Sequence, residues 1–301
     1  MGGVFVAYGL LFAFLTAVCW GFSPILQKQA LKNMGLLELN AARGAGVLAA
    51  LMLMPLVTGT ETLRLGLDRY PLVAAIALSN NVIGDLFLFA AIRHIGVSLA
   101  SPITSSYPLI VAVFSRLWFR EELTPFVVGG TLSVVTGLAL LNFRGKQAAA
   151  GTGRHLRGVV FAASGAFFAA LGFTLNKYLA QNGVSASALT FWKCLTFVFI
   201  SFSMWAASLP GHPGRRSHLK EIPASAWLAG AGAGIVALLV GGWFYAASLF
   251  SIPLSVATPI ASSSPLIAAL LACALMGERL RPLQWLGIVF IVSGAVLVGT
   301  R

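Results

Sequence analysis

The sequence predicts an all-α integral membrane protein with about ten transmembrane helices, arranged as two inverted five-helix repeats. Three observations lead to this prediction: a composition too apolar for a water-exposed surface, a series of long apolar segments, and an internal repeat. Hydrophobic residues make up 58% of the 301 positions and charged residues only 9%. Because soluble domains carry roughly 25% charged residues, we expect lipid to surround most of this chain.

Ten apolar segments are long enough to cross a bilayer, whose hydrocarbon core of about 30 Å needs roughly 20 helical residues. Charged residues, prolines or glycines bound these segments, as they do in membrane helices. The predicted spans are residues 5–27, 36–57, 71–92, 97–118, 125–143, 157–180, 187–208, 224–247, 253–276 and 282–299. The connections between them are short, so consecutive helices are expected to run antiparallel.

The chain has a formal net charge of +12, which raises the question of a nucleic-acid partner. Its basic residues are scattered over many short connections and do not cluster on one face, which argues against nucleic acid. Lys and Arg beside apolar spans favour anionic membrane lipids instead. Cys19, Cys194 and Cys273 lie in separate spans without the spacing of a zinc site or a disulfide framework. No metal or cofactor is predicted.

The two halves of the chain are related by an internal repeat. Residues 101–110 match residues 258–267 at a constant shift of 157 positions, and the same shift pairs Glu121 with Glu278. The prolines of the two segments coincide, as do two glycines further along. The repeat predicts two five-helix domains joined by a basic linker, with these bounds: 1–143, 144–157 and 158–301.

An odd number of helices in each repeat has a topological consequence. Two units of five spans in series must cross the membrane in opposite senses, so the repeats are expected to be inverted relative to each other. In proteins of this design a binding site lies near the middle of the membrane, where the two repeats meet.

The end of the fourth and ninth spans carries the most specific motif. In the second half the motif reads PLI at 265–267, MGERL at 276–280, QWLG at 284–287 and SG at 293–294. The first half repeats PLI at 108–110 and FREEL at 119–123, with Gly130 and Gly137 following, although Arg120 stands where the pattern usually has glycine. Over residues 9–141 and 158–299 the chain resembles the EamA repeat of the drug/metabolite transporter superfamily.

This resemblance implies a ten-helix secondary transporter that exports amino acids or related metabolites from the cell through its inner (plasma) membrane. It also implies that no ATPase is involved, and the sequence lacks the Gly-rich loop ending in Lys-Ser or Lys-Thr that would cradle nucleotide phosphates. The expected partners are a small-molecule substrate and membrane lipids.

Few charged residues lie inside the predicted spans, where each costs about 2.5–3.5 kcal/mol at the helix centre. Arg43 and Lys193 occupy matching positions in spans two and seven, at a shift of 150. The guanidinium of Arg43 could bind both oxygens of a substrate carboxylate, and Lys193 could bind it as a point charge. Alternatively, both side chains could snorkel to the lipid headgroups. Asp85 is a candidate for proton coupling, and the alternative is an ion pair with one of the two cations.

Prolines within the fourth and ninth spans are candidate hinges, because proline removes a backbone donor and clashes with the preceding turn. These hinges are Pro102, Pro108, Pro259 and Pro265. Polar residues next to them are candidates for lining a transport path, although helix packing also explains them. The remaining candidate substrate-binding residues are polar or aromatic: Trp20, Ser23, Gln27, Asn81, Thr104, Ser105, Tyr107, Asn176, Trp192, Trp243, Tyr245, Ser262 and Ser263.

The embedded cations favour a substrate that carries a carboxylate, since they outnumber the one deep acid. A cationic-drug exporter of the same superfamily would instead need an acid facing its ligand, and a passive channel would need no coupling residue. An integral-membrane enzyme is not predicted, because His94, His155, His212 and His218 all fall in predicted loops without metal-ligand spacing.

Overall fold

The computed structural model describes residues 2–142, 152–208, 219, 221–276 and 280–300, and these ranges are almost entirely helical. In chain order the α-helices are Gly2–Ala30 (α1), Leu36–Thr58 (α2), Tyr70–Leu78 (α3), Gly84–Ile95 (α4), Val97–Thr104 (α5), Tyr107–Phe119 (α6), Pro125–Asn142 (α7), Thr152–Gln181 (α8), Ala186–Ser208 (α9), Ala224–Gly234 (α10), Gly242–Ser248 (α11), Leu254–Ala261 (α12), Ser264–Met276 (α13) and Pro282–Gly299 (α14). A 3₁₀-helix (Thr60–Leu63) and two π-helices (Ser79–Ile83 and Ile235–Gly241) complete the described elements.

Eight helical segments in these ranges are long and apolar enough to cross a membrane. Two further segments, Tyr70–Ile95 and Val97–Phe119, are assembled from shorter helices that follow one another without a long connection. The described chain thus contains five spanning segments in each half. The predicted all-α integral membrane fold is confirmed.

The sixth segment begins earlier than its apolar run predicts. Helix α8 starts at Thr152, whereas the predicted span starts at 157 and the predicted linker covers 144–157. The last part of that linker is therefore helical, because a helix continues beyond the hydrocarbon layer wherever its polar side chains meet headgroups or water. Residues 143–151 lie outside the described ranges.

The fourth and ninth segments are interrupted at the second proline of each, whereas Pro102 and Pro259 lie inside helices α5 and α12. Helix α5 ends at Thr104 and helix α12 ends at Ala261, each four residues before a proline. The ring of that proline, Pro108 or Pro265, would clash with the carbonyl of the residue four positions earlier. The first break is stabilised by Ser106 Oγ, which donates to Ile103 O over 2.7 Å, and the second by the corresponding serine of the other repeat.

The two π-helices also occupy equivalent places in the repeats. A shift of 157 carries Ser79–Ile83 onto residues 236–240, inside the π-helix Ile235–Gly241. A π-helix inserts one extra residue into a turn and leaves a carbonyl without its usual partner. In the second π-helix, Ala237 O accepts a hydrogen bond from Trp20 Nε1 at 3.0 Å.

The last helices of the two halves, α7 and α14, cross at glycines in close contact. A Cβ at Gly130 would lie 2.7 Å from Gly294 O, and a Cβ at Gly137 would lie 2.5 Å from Gly287 O. The earlier glycine of one helix thus faces the later glycine of the other. This antiparallel pairing of repeat-equivalent positions is the contact that an inverted repeat requires.

Both chain ends lie on one face of the bundle, which we call the terminal face. Gly9, near the start of α1, lies against Ile252 in the connection between α11 and α12, and Gly299, at the end of α14, lies 3.9 Å from Leu10 when a Cβ is added. The far end of α1 carries Gln27, about 27 Å from Gly9 at 1.5 Å per residue. That end defines the opposite face.

Candidate functional site

A cavity of about 340 Å³ lies between α1, α2, α9 and the segment formed by the first π-helix and α4. Its walls reach the opposite face, because they include Leu36, the half-exposed first residue of α2. The volume is in the range of small-molecule pockets. The lining residues are Gln27, Leu36, Leu37, Leu39, Asn40, Arg43, Val82, Leu86, Phe197, Ile200, Ser201 and Met204.

Arg43 is the charged residue among these lining residues. Its Nη1 donates to Asn40 Oδ1 at 3.1 Å, one turn earlier on α2. Its guanidinium carbon lies 5.4 Å from the ring centroid of Phe197 on α9, a distance typical of a cation–π contact. The asparagine and the aromatic ring hold the guanidinium at the cavity wall.

Gln27 completes the polar part of the wall. Its Nε2 donates to Ser23 Oγ at 2.9 Å, and Ser23 Oγ donates to Ala233 O on α10 at 3.0 Å. Ser23 is buried behind Gln27 and is not among the lining residues. The amide oxygen of Gln27 therefore stays available to a molecule in the cavity, whereas Ser23 holds α1 against α10.

An aromatic cluster lies deeper in the bundle, on the side toward the terminal face. Trp20 precedes Gln27 by about 10 Å along α1. Its ring stacks on Tyr245 with centroids 5.5 Å apart and contacts Phe173 at 5.9 Å. Phe173 in turn stacks on Tyr107 at 5.1 Å. These rings fill the space between the cavity and the terminal face.

Lys193, the repeat partner of Arg43, is not among the lining residues. Its Nζ lies 3.5 Å from the place of a Cβ on Gly242, at the end of the second π-helix, and Thr190 Cγ2 lies 3.9 Å from the same point. The two cations of the sequence prediction are thus in different surroundings. Only Arg43 faces the cavity.

Several predicted site residues form hydrogen bonds with backbone carbonyls or with other side chains. Tyr245 hydroxyl and Thr258 Oγ1 are 3.0 Å apart, and Trp243 Nε1 donates to Ser187 Oγ at 3.0 Å. Thr104 Oγ1 donates to Ala162 O at 3.4 Å. Ser262 and Ser263 each donate to a carbonyl three residues earlier. These side chains are away from the cavity.

Three other predicted residues also lie outside the cavity wall. Ser105 caps the end of α5 at the break between α5 and α6. Trp192 packs edge-on against Tyr70 with centroids 5.9 Å apart, and Asn176 Nδ2 donates to Gly172 O at 2.7 Å. Asn81 lies in the first π-helix and Asp85 on α4, but the side chains of both are outside the described part of the structure.

The family model described as the EamA-like transporter family matches residues 7–143 and 156–300. The chain belongs to the EamA-like transporter family. It is 23% identical over 196 residues to an uncharacterized transporter of Archaeoglobus fulgidus, a match that covers 64% of this chain and 67% of that protein. A solved crystal structure at 17% identity superposes with a TM-score of 0.76 over 97% of this chain and 96% of the other, which supports the fold.

Membership of the EamA-like transporter family makes this multi-pass membrane protein a transporter and not an enzyme. Among the polar and aromatic members of the cavity wall, the sequence prediction missed three: Asn40, Phe197 and Ser201. Asn40 could have been found, because residues three apart on a helix share a face and Arg43 was already singled out. Phe197 and Ser201 come from another helix, and only the fold brings them to Arg43.

Proposed function

We propose that this protein is a secondary transporter of the inner (plasma) membrane that exports a small metabolite carrying a carboxylate, such as an amino acid or a related compound, by alternating access between its inverted repeats. The observation that carries the proposal is the position of Arg43 in the wall of the 340 Å³ cavity. A guanidinium presents paired N–H donors that match the two oxygens of a carboxylate.

The rest of the cavity wall suits a small amphipathic molecule. Asn40 and Gln27 offer amide groups on the same side as Arg43, while Leu39, Val82 and others supply apolar surface. No acidic side chain is among the residues described as lining this cavity. Arg43 is thus the charged group among the residues described as lining the cavity, which supports a carboxylate compound over a cationic drug.

Proton coupling through Asp85 is part of the proposal and rests on sequence position. Asp85 lies next to Leu86, a cavity-lining residue, in a segment where an ionised carboxylate is costly. A proton bound there on one side of the membrane and released on the other would drive export. In vesicles with an imposed pH gradient, Asp85→Asn should abolish gradient-driven accumulation, whereas a passive channel would give equal flux with or without the gradient.

The export proposal is tested by overproducing the protein and profiling metabolites inside cells and in the medium. We expect one compound or a few related compounds with a carboxylate to become depleted inside and enriched outside. Arg43→Ala should reduce this export at least about tenfold, since a charge-assisted contact is worth more than one tenfold step. Arg43→Lys should retain part of the export activity, because lysine keeps the positive charge but cannot bind both carboxylate oxygens in the planar geometry of a guanidinium.

Arg69→Ala is the matched control, since Arg69 is a half-exposed residue that pairs weakly with Asp68 at 4.0 Å. It should leave export unchanged. Export of a cation without a carboxylate, or unchanged export by Arg43→Ala at equal protein level, would contradict the proposal.

A further inference from the structure

Two polar residues of the cavity wall have repeat partners in the second half that each carry a polar atom buried without a hydrogen bond in the described part of the chain. Helices α2 and α9 both contain 23 residues and start 150 positions apart, at Leu36 and Ala186. This register pairs Arg43 with Lys193 and Asn40 with Thr190. On the helix before, Gln27 corresponds to Asn176, because each immediately precedes a lysine near the end of its helix.

Two of these partners carry buried polar atoms without hydrogen bonds in the described structure. Asn176 is 1% exposed and Thr190 is fully buried, yet Asn176 Oδ1 and Thr190 Oγ1 have no partner. The orientation of the Asn176 amide is set by its Nδ2, which donates to Gly172 O at 2.7 Å. Its oxygen is therefore the atom of the amide that is left to accept a hydrogen bond.

Such atoms are exceptional in folded proteins, since most buried polar groups are hydrogen-bonded. A threonine hydroxyl in a helix can donate to the carbonyl four residues earlier, as Thr174 does to Ala170 O at 2.7 Å. Thr190 does not use this option. An unpaired buried hydroxyl or amide destabilises the fold. The described structure has further atoms of this kind, among them Ser115 Oγ and Trp205 Nε1, so what distinguishes Thr190 is the cation beside it.

Lys193 lies next to Thr190. Its Nζ and the Thr190 methyl group both lie near the same point beside Gly242, at 3.5 and 3.9 Å. Leu175 on α8 and Leu189 on α9 both pack in one hydrophobic cluster, so the residues that precede Asn176 and Thr190 share this part of the bundle. A cation and a threonine side chain thus lie together in the second half, and the register of the repeat adds the amide of Asn176.

The terminal face, toward which this group lies, is held closed by two buried contacts. Glu121 accepts hydrogen bonds from Leu254 N, Ser255 N and Ser255 Oγ at 2.7–2.9 Å. Lys177 Nζ donates to Leu249 O at 2.6 Å and to Ile252 O at 3.2 Å. These bonds fix both ends of the connection between α11 and α12 at the terminal face.

We propose that Asn176, Thr190 and Lys193 form a second binding site for the carboxylate end of the substrate, which opens when the terminal face opens. The inference rests on the proposed alternating-access function. When inverted repeats exchange conformations, the second half takes up the arrangement that now forms the cavity around Arg43. Lys193 then supplies the charge, and Thr190 and Asn176 supply the hydrogen-bonding groups that lack partners in the closed state.

The first test needs no knowledge of the substrate. Thr190→Cys is introduced into a chain whose native Cys19, Cys194 and Cys273 are replaced by serine. Two methanethiosulfonates of similar size, one anionic and one cationic, are then applied from the terminal side of oriented vesicles. We expect the anionic reagent to react at least about tenfold faster, because Lys193 attracts it in a site of low dielectric, and we expect Lys193→Met to abolish the difference.

Thr131→Cys is the matched control, since Thr131 is also buried and its hydroxyl already donates to Val127 O within α7 at 2.7 Å. It should react with neither reagent. Equal rates of the two reagents at Thr190→Cys while Lys193 is present would overturn the proposal. So would the absence of any reaction in a Thr190→Cys protein that unfolds at the temperature of its parent.

The second test separates a binding role from a structural one. Thr190→Val keeps the side-chain shape and removes a hydroxyl that has no partner, so it should not lower the unfolding temperature, whereas export should fall by about tenfold. Thr174→Val should leave export unchanged. If export by Thr190→Val is normal, or falls only with loss of stability, the second site is wrong. The Arg43 variants decide the proposed function independently of that result.

Discussion

The crossing of α7 and α14 gives a prediction that depends on backbone geometry alone. A Cβ on Gly137 would lie 2.5 Å from Gly287 O and 2.7 Å from Ile291 Cγ1, whereas ordinary contact begins at 3.4 Å. The helices must therefore separate by about 0.9 Å (3.4 − 2.5) in a region that is packed at crystal-like density. Overpacking of this kind costs about 1–3 kcal/mol.

The net effect of Gly137→Ala is smaller than this cost, because alanine stabilises a helix by up to about 1 kcal/mol relative to glycine. Since a backbone oxygen at 2.5 Å cannot rotate away, the upper part of the overpacking range applies, about 2–3 kcal/mol. Subtracting about 1 kcal/mol for the helix propensity of alanine leaves an expected destabilisation of about 1–2 kcal/mol. Thermal unfolding of the purified protein in detergent should show it as a decrease of about 2–8 °C, at roughly 2–4 °C per kcal/mol.

Gly129→Ala makes the same chemical change on the same helix at a position where a Cβ meets nothing within 4 Å. It should leave the unfolding temperature unchanged or raise it. The double variant Gly137→Ala with Gly287→Ala should lose less than the two single variants together, by about 0.5 kcal/mol or more, because one separation relieves both contacts. If Gly137→Ala is as stable as the parent protein, or Gly129→Ala loses as much, the close crossing is refuted.

Two further variants test buried hydrogen bonds with the same unfolding assay. Trp20→Phe keeps an aromatic ring but leaves Ala237 O of the second π-helix without its donor, so a loss of about 1–3 kcal/mol is expected; an unchanged unfolding temperature would show that this carbonyl finds another donor. Glu121→Gln removes the charge that accepts from Leu254 N and should cost about 1.5–3 kcal/mol, whereas its exposed neighbour Glu122 should tolerate the same change. Equal losses of stability in Glu121→Gln and Glu122→Gln would contradict the role of Glu121 as acceptor for the first backbone N–H groups of α12.

The spanning segments could be predicted because hydropathy records the boundary between lipid and water directly. The breaks in the fourth and ninth segments were also predictable, since a proline acts on the turn that precedes it in the same chain. The π-helices were not. Their extra residue depends on contacts such as that between Trp20 and Ala237, which are far apart in sequence and come together only in the fold.

Two of the residues that line the cavity, Arg43 and Gln27, were among the predicted site residues. Most other predicted residues lie elsewhere, because polar side chains in a membrane have structural roles as well. A buried polar side chain must find a partner whether or not it binds a substrate. Ser23, Tyr245 and Ser262 marked polar positions correctly, but the structure shows that they bond to backbone or to other side chains. A polar residue in a spanning segment therefore predicts a hydrogen bond within the protein. Arg43 and Gln27 differ from the others because they line the cavity.

The difference between Arg43 and Lys193 has a local contribution and, on the proposed function, a conformational one. Their helices have the same length and the same register within the repeat. Ala42 and Gly44 flank Arg43, whereas the bulkier Trp192 and Cys194 flank Lys193, so the two positions differ in the space beside the cation. A transporter of two inverted repeats that works by alternating access holds its repeats in different states. On that proposal the unpaired atoms of Asn176 and Thr190 are expected to belong to a site in its closed form, and opening the terminal face should exchange the roles of the two cations.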